Sequence, residues 1–307
     1  MPFTRRHALL AAAAVPLAAP FLLRAAPARA QMQAAAMPFP LHRTIPLGSF
    51  QVTSLLAGSG QQDNPHEIFG LNVDAETFAA ESAENFIPAD RSVGFFQPAL
   101  VTAGENRILF DTGLNAGGLL AALADAGLAP ADVTHVVLTH MHPDHIGGLS
   151  DDAGKVTFPD AAYVAGQAEF DFWAGQANEG FEAKVRPLAE RMTFLAPGQD
   201  VTAGVTAVEA FGHSPGHLAF LLESDGQGLM LTADTANHHV WSLANPDWEV
   251  LYDADKAAAA ATRRRILGQL ADDRVAMHGY HMPAPGIGFV EADGEGFAWV
   301  PMSYQFM

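Results

Sequence analysis

The segment Thr139-His140-Met141-His142-Pro143-Asp144-His145 places three imidazoles and a carboxylate within six residues, directly after a stretch that reads as a buried strand. On extended backbone alternate side chains point the same way, so His140 and His142 can share one metal ion. The turn that follows swings Asp144 and His145 toward a second metal position. Imidazole nitrogens and carboxylate oxygens suit zinc, and a ligand set with an open position for water is the catalytic kind. The chain has no cysteine, so thiolate ligation is excluded. An ordinary solvated loop has no need of so many imidazoles.

Such a segment must be carried by rigid elements. Strands are predicted at 45–56, 99–102, 107–110, 133–138, 205–210, 218–222, 229–232, 274–277 and 297–300, from short runs of β-branched and aromatic residues bounded by turn residues. Helices are predicted at 119–126, 167–174, 181–192 and 255–270. The last has an acidic start, an alanine run, and Ile266, Leu267 and Leu270 on one face. The polar stretch 61–91 reads as a long loop with one helix. Strands and helices interleave without a linker or a repeat, which indicates one α/β layered domain and excludes a solenoid or propeller.

The spacing His-x-His-x-Asp-His resembles the signature of the metallo-β-lactamase superfamily, and four further segments follow in that family's order. Leu109-Phe110-Asp111-Thr112-Gly113 is similar to the turn whose Asp supports the ligand loop from behind. Gly212-His213-Ser214-Pro215-Gly216-His217 is similar to the segment that supplies another histidine. Leu231-Thr232-Ala233-Asp234 resembles the strand end whose carboxylate bridges two metals, and Gly279-Tyr280-His281-Met282-Pro283 the segment of the final histidine. The resemblance implies an αββα sandwich: two mixed β-sheets face to face, helices outside, and the site at one edge. It implies two divalent ions, zinc by ligand chemistry. One would take His140, His142 and His217, and the other Asp144, His145 and His281, with Asp234 touching both. His213 is expected to support the turn rather than to ligate. His278 competes with His281 for the last position, and the Tyr-His-x-Pro context favours His281. Either His238 or His239 could line the pocket. Asp234 and Asp144 are the carboxylates assigned to catalysis, in which a bridging hydroxide attacks the substrate.

The branch is indicated by further resemblances. Asp234 is present and cysteine absent, unlike β-lactamases of this fold. The stretch 286–307 has no Lys or Arg, unlike the end of glyoxalase II thioesterases. Phe158-Pro159-Asp160, Glu169-Phe170-Asp171-Phe172-Trp173 and Gly296-Phe297-Ala298-Trp299-Val300-Pro301 resemble the exported branch that contains methyl parathion hydrolase and lactone or aryl-ester hydrolases. Trp173 and Phe181 match pocket aromatics there. The implied substrate is a small hydrophobic lactone or aryl ester, with a phosphotriester as the alternative. Sister lactonases carry a tyrosine three residues after the bridging Asp; here that position is Asn237.

Bulk composition limits the partners. The chain has 307 residues, 49% of them hydrophobic, and a formal net charge of −18. Such a charge repels phosphate backbones, so nucleic acid is not an expected partner. Residues 1–30 combine Arg5-Arg6, an apolar alanine-rich stretch and Ala28-Arg29-Ala30, the pattern of a twin-arginine signal peptide. The expected layout is a removable signal at 1–30, a tail at 31–44 and a hydrolase domain at 45–307, located in the periplasm. No membrane span is expected after processing. A homodimer is compatible with the sequence.

Overall fold

The computed structural model describes residues 40–303 and 305. The expected signal segment therefore lies outside the described residues.

Apolar residues alternate along the strands in a way that requires cover on both faces. Ile108 and Phe110 belong to one buried cluster and Leu109 to another; Val137 is likewise separated from Val136 and Leu138. Because strand side chains alternate, each strand supplies two cores. The first sheet has seven strands in the order His42–Leu47, Phe50–Leu55, Ala99–Ala103, Asn106–Phe110, His135–Leu138, Ala162–Gly166 and Met192–Leu195. It is antiparallel through its fourth strand and parallel beyond it. The second has the order Asp200–Thr202, Val205–Glu209, Leu218–Ser224, Gln227–Ala233, Ala276–Gly279, Ile287–Asp293 and Gly296–Pro301. There the only parallel pair is Gln227–Ala233 with Ala276–Gly279.

The shared core between the sheets joins Val52, Val101, Ile108, Phe110 and Val137 to Val205, Phe220, Leu222, Leu229 and Leu231. Phe110 and Phe220 meet across it with ring centroids 5.0 Å apart. On the far face of the first sheet, Leu100, Leu109 and Val136 pack under Leu119 and Leu123 of the helix Ala116–Asp125. On the far face of the second, Met230 and Met277 pack under Ile266, Leu267 and Leu270 of the helix Lys256–Asp273. The result is the expected αββα sandwich of two mixed sheets. Asp255 caps that last helix, accepting the Ala258 N–H at 3.0 Å.

Several boundaries differ from expectation. The strand expected at 45–56 is a hairpin folded about Gly48 (φ 57°), and it begins at His42, inside the expected tail. The loop expected at 61–91 carries the helix Ala75–Glu84, and its ends belong to a two-stranded ribbon, Gly58–Asp63 with Arg91–Phe96. The helix expected at 181–192 stops at Lys184; a 3-10 turn, Arg186–Arg191, and a strand, Met192–Leu195, follow. Pro187 explains the stop, since its ring fits the start of a turn and not a helix interior.

Candidate metal centre

The segments that carry the candidate ligands leave the carboxyl ends of strands in both sheets. His140, His142, Asp144 and His145 follow the strand His135–Leu138, Asp234 follows Gln227–Ala233, and His281 follows Ala276–Gly279. Asp111 and Ala233, each just past or at a strand end, adopt left-handed backbone with φ of 62° and 43°. Non-glycine residues seldom do so, and such strain gathers at functional sites.

Three nitrogens converge first. His140 Nε2 lies 3.0 Å from His142 Nδ1 and 3.2 Å from His213 Nε2, and the latter two are 2.9 Å apart. Burial pushes His140 well below its ordinary pKa; burial and the neighbouring His213 bring His142 to about 4. Imidazole lone pairs this close repel unless a cation or proton stands between them. The second group is His145, His281, Asp144 and Asp234. His145 Nε2 is 3.5 Å from Asp144 Oδ2 and 3.1 Å from Asp234 Oδ1, and His281 Nε2 is 3.2 Å from Asp234 Oδ2. Ligand atoms within each of the groups His140–His142–His213, His140–His145–Asp234 and Asp144–His145–His281 lie within 4.8 Å of one another.

Their outer partners fix the ring tautomers. Nδ1–H of His145 donates to Asp111 Oδ2 at 2.8 Å, that of His281 to the Phe95 carbonyl at 2.8 Å, and that of His213 to Asp253 Oδ1 at 2.9 Å. Each leaves Nε2 with its lone pair inward, the arrangement a metal-binding histidine requires. Asp111 also accepts the Thr139 N–H and hydroxyl, both at 2.8 Å, so it holds the root of the ligand loop. Burial alone would raise the Asp234 carboxyl, but His281, His145 and His213 around it more than offset this and hold it well below the usual range. Against the same burial, three carboxylates raise His145 well above its ordinary value. The pocket thus favours positive charge at its centre. His145 Nε2 and Asp234 Oδ1 are buried and make no hydrogen bond. These unsatisfied atoms fit a cation.

One assignment is corrected. His213, not His217, stands beside His140 and His142. His217 is fully committed elsewhere: its Nδ1–H donates to the Ala210 carbonyl at 2.9 Å, and its Nε2 accepts the Asp234 N–H at 3.2 Å. Gly212 (φ 127°) explains the orientation. A Cβ there would lie 2.2 Å from the Ala259 nitrogen, so the loop runs tight against the helix Lys256–Asp273 and turns His213 inward. Phe181 is also corrected. It is fully buried in the core against Phe170, with Arg186 over its ring, and does not line the cavity. Trp173 is not a wall of the cavity either. It packs edge-on against His142 at 5.7 Å, and its indole N–H donates to Glu169 at 2.6 Å. His278 is buried away from the ligands, paired with Ser54 at 3.0 Å.

Four supporting residues were not foreseen. The buried Glu169 carboxylate accepts from Met141 N–H, Trp173 Nε1–H, Ser214 hydroxyl and Gly216 N–H, tying the two ligand loops together. Asp253 holds His213 and is itself held by Arg263 at 3.0 Å. Tyr280 stacks on His145 at 4.0 Å and donates to the Asp144 carbonyl at 2.5 Å. Glu169, Asp253 and Tyr280 reach the ligand segments across 28 to 136 residues of sequence, so no local pattern announces those contacts.

The cluster opens into a cavity of about 520 Å³, lined by His142, Asp144, Asp234 and His281 on its floor. Phe69, Val93, Phe96, Leu114 and Tyr252 give it apolar walls, and Asn237 and His238 a polar one; among the described residues no Lys or Arg lines it.

Residues 98–278 match the family described as Metallo-beta-lactamase superfamily. Mouse metallo-beta-lactamase domain-containing protein 1 is 31% identical over 257 residues, covering 78% of this chain and 88% of that protein. The N-acyl homoserine lactonase of Azorhizobium caulinodans is 31% identical over 134 residues, covering 39% of this chain and 47% of that protein. Among solved structures, the dizinc quorum-quenching lactonase AidC superposes with a TM-score of 0.79 at 28% identity, covering 87% of this chain and 99% of that one. The hydrolase AbOPH superposes with a TM-score of 0.79 at 25% identity, with 87% and 99% covered. The matched span, the two packed sheets and the buried His–Asp cluster agree, and the chain belongs to the metallo-β-lactamase superfamily, among its hydrolases.

Proposed function

We propose that the protein is a binuclear zinc hydrolase of uncharged, hydrophobic lactones or carboxyl esters. His140, His142 and His213 would hold one ion and Asp144, His145 and His281 the other, with Asp234 between them. Two such ions, when bound, supply Lewis acidity toward the scissile carbonyl and lower the pKa of water enough for attack near neutral pH. The chain's own residues do the rest. Asn237 donates to Asp234 Oδ2 at 2.9 Å and fixes the orientation of that carboxylate. The apolar walls receive the acyl or aryl part of the substrate and exclude water around the reacting carbonyl.

The observation that carries this reading is a carboxylate- and imidazole-lined floor under a cavity whose walls hold no cation. An anionic substrate would meet no compensating charge on those walls. The similarity to an N-acyl homoserine lactonase and to AidC supports lactones in particular. A phosphotriester is also uncharged and is the second reading. The test is kcat/KM of zinc-loaded protein for a dihydrocoumarin-type lactone, an aryl ester, a methyl phosphotriester and an anionic phosphodiester. The lactone and ester are expected to lead and the diester to fail. A phosphotriester preference would reverse the assignment, and turnover of none would remove it. A strong chelator should abolish the activity, and zinc, cobalt or manganese should restore it.

We also propose export by the twin-arginine route, on the strength of Arg5-Arg6 and the Ala28-Arg29-Ala30 site. Mass spectrometry of the native envelope fraction should find a chain starting near Gln31. An intact Met1 in the cytoplasm would contradict this.

A further inference from the structure

His238 is not needed to hold a metal, yet its ring is more tightly specified than that of an ordinary pocket residue. Its Nδ1 accepts two backbone N–H groups, from Val240 at 3.1 Å and Trp241 at 3.2 Å. A nitrogen that accepts two amide protons carries none itself, so in the neutral ring the proton is on Nε2. The ring is clamped face to face on Trp241, with centroids 3.9 Å apart and planes 17° apart, and Phe69 packs against it at 5.6 Å. Nε2 has no hydrogen-bond partner among the described residues, and the residue lines two cavities. His238 is a wall of the cavity floored by Asp144, Asp234 and His281. It also borders a second cavity of about 390 Å³ that likewise touches His281.

We propose that His238 is a substrate-binding catalytic residue whose Nε2–H donates a hydrogen bond to an oxygen of the uncharged ester or lactone. The assignment rests on the ester-hydrolase reading above. Asn237, at the position where sister enzymes present a phenol, is occupied with Asp234, and the free donor is its neighbour. Burial, reinforced by the adjacent His239, keeps the ring neutral by holding it well below its ordinary pKa. A neutral imidazole gives up its second proton only with great difficulty. The proton therefore stays on Nε2, and the contribution is electrostatic: a fixed dipole facing charge that develops on the substrate oxygen.

The test separates this role from that of a turn cap stacked on Trp241. In His238→Asn the side chain reaches only as far as Nδ1, so the turn can still be capped but the donor is lost. In His238→Gln an amide N–H reaches the place of Nε2 while the cap is lost. With zinc content and melting temperature measured alongside, His238→Asn is expected to lower kcat/KM for the lactone by roughly 10- to 100-fold, the range for one hydrogen bond to an oxygen that carries charge. Both variants lose the ring stacked on Trp241 and should melt below wild type with metal content unchanged, yet His238→Gln should recover most of the rate that His238→Asn loses. Calorimetric binding of 3,4-dihydro-2-quinolinone, an uncleaved amide analogue of the lactone, should weaken in the Asn variant and recover in the Gln variant. If wild type binds the amide in this His238-dependent way but cleaves no ester, the ester reading fails and the donor stands. If His238→Asn matches wild type in both rate and binding, or if either variant's losses simply follow its Tm or zinc content, the proposal falls.

Discussion

His213 and His217 are four residues apart and differ in the company their ring nitrogens keep. One has Asp253 behind it and two histidines before it; the other has a backbone group at each nitrogen. His213→Ala should therefore remove about one zinc per chain, read by elemental analysis, and reduce activity at least 100-fold. His217→Ala should retain both ions under saturating zinc and show its damage as a lower Tm, since it leaves the Asp234 N–H and the Ala210 carbonyl unpaired. The opposite pattern would restore His217 as a ligand. The His140 to His145 cluster was legible because its donors are contiguous and strand geometry alone aims them. The choice between 213 and 217 was not, because it depends on a glycine pressed against a helix and on a carboxylate 40 residues away.

Helices and strands act on the site through a few buried polar residues. Arg263, 1% exposed, spends its donors on the carbonyls of Thr235, Pro246 and Trp248 and on Asp253. It links the helix Lys256–Asp273 both to the loop after Asp234 and to His213. Arg263→Met leaves the buried Asp253 carboxylate with His213 as its remaining side-chain partner, a loss of about 3–5 kcal/mol by analogy with other broken buried pairs. Chemical denaturation should show that loss, accompanied by weaker zinc binding; an unchanged midpoint would mean that water replaces the guanidinium. His278 gives the strand Ala276–Gly279 a pH dependence. Burial lowers its pKa to about 4, against an ordinary value of 6.5. Between these values the unfolded chain binds the proton and the native chain does not, so stability is retained above pH 6.5 and declines as pH falls toward 4. The decline reaches about 3 kcal/mol, and the gap between wild type and His278→Gln in urea unfolding should shrink by that amount from pH 7.5 to 4. The central strands and the helix Lys256–Asp273 could be read from apolar periodicity. The ribbon strand Gly58–Asp63, sequence GSGQQD, could not: it has no apolar alternation and is defined only by its pairing with Arg91–Phe96.

The candidate ligands come from both sheets, and none of the three groups of donors is local in sequence. His140 and His142 belong to one sheet's strand end, while His213, Asp234 and His281 belong to the other. A cation that touches both is bound only by a chain whose sheets have already docked, so mass action makes it a fold stabiliser as well as a reagent. With free zinc at 100 times its dissociation constant the native state gains about 2.7 kcal/mol. Melting temperature measured in zinc-buffered solution should rise steadily with the logarithm of free zinc, and the slope should halve or vanish in His213→Ala. A flat response in wild type would show that the sheets dock equally well without the ions. Where the rise holds, zinc scarcity would reduce the amount of enzyme before it limited the rate of each molecule, because metal-free chains would be the first to unfold and be degraded.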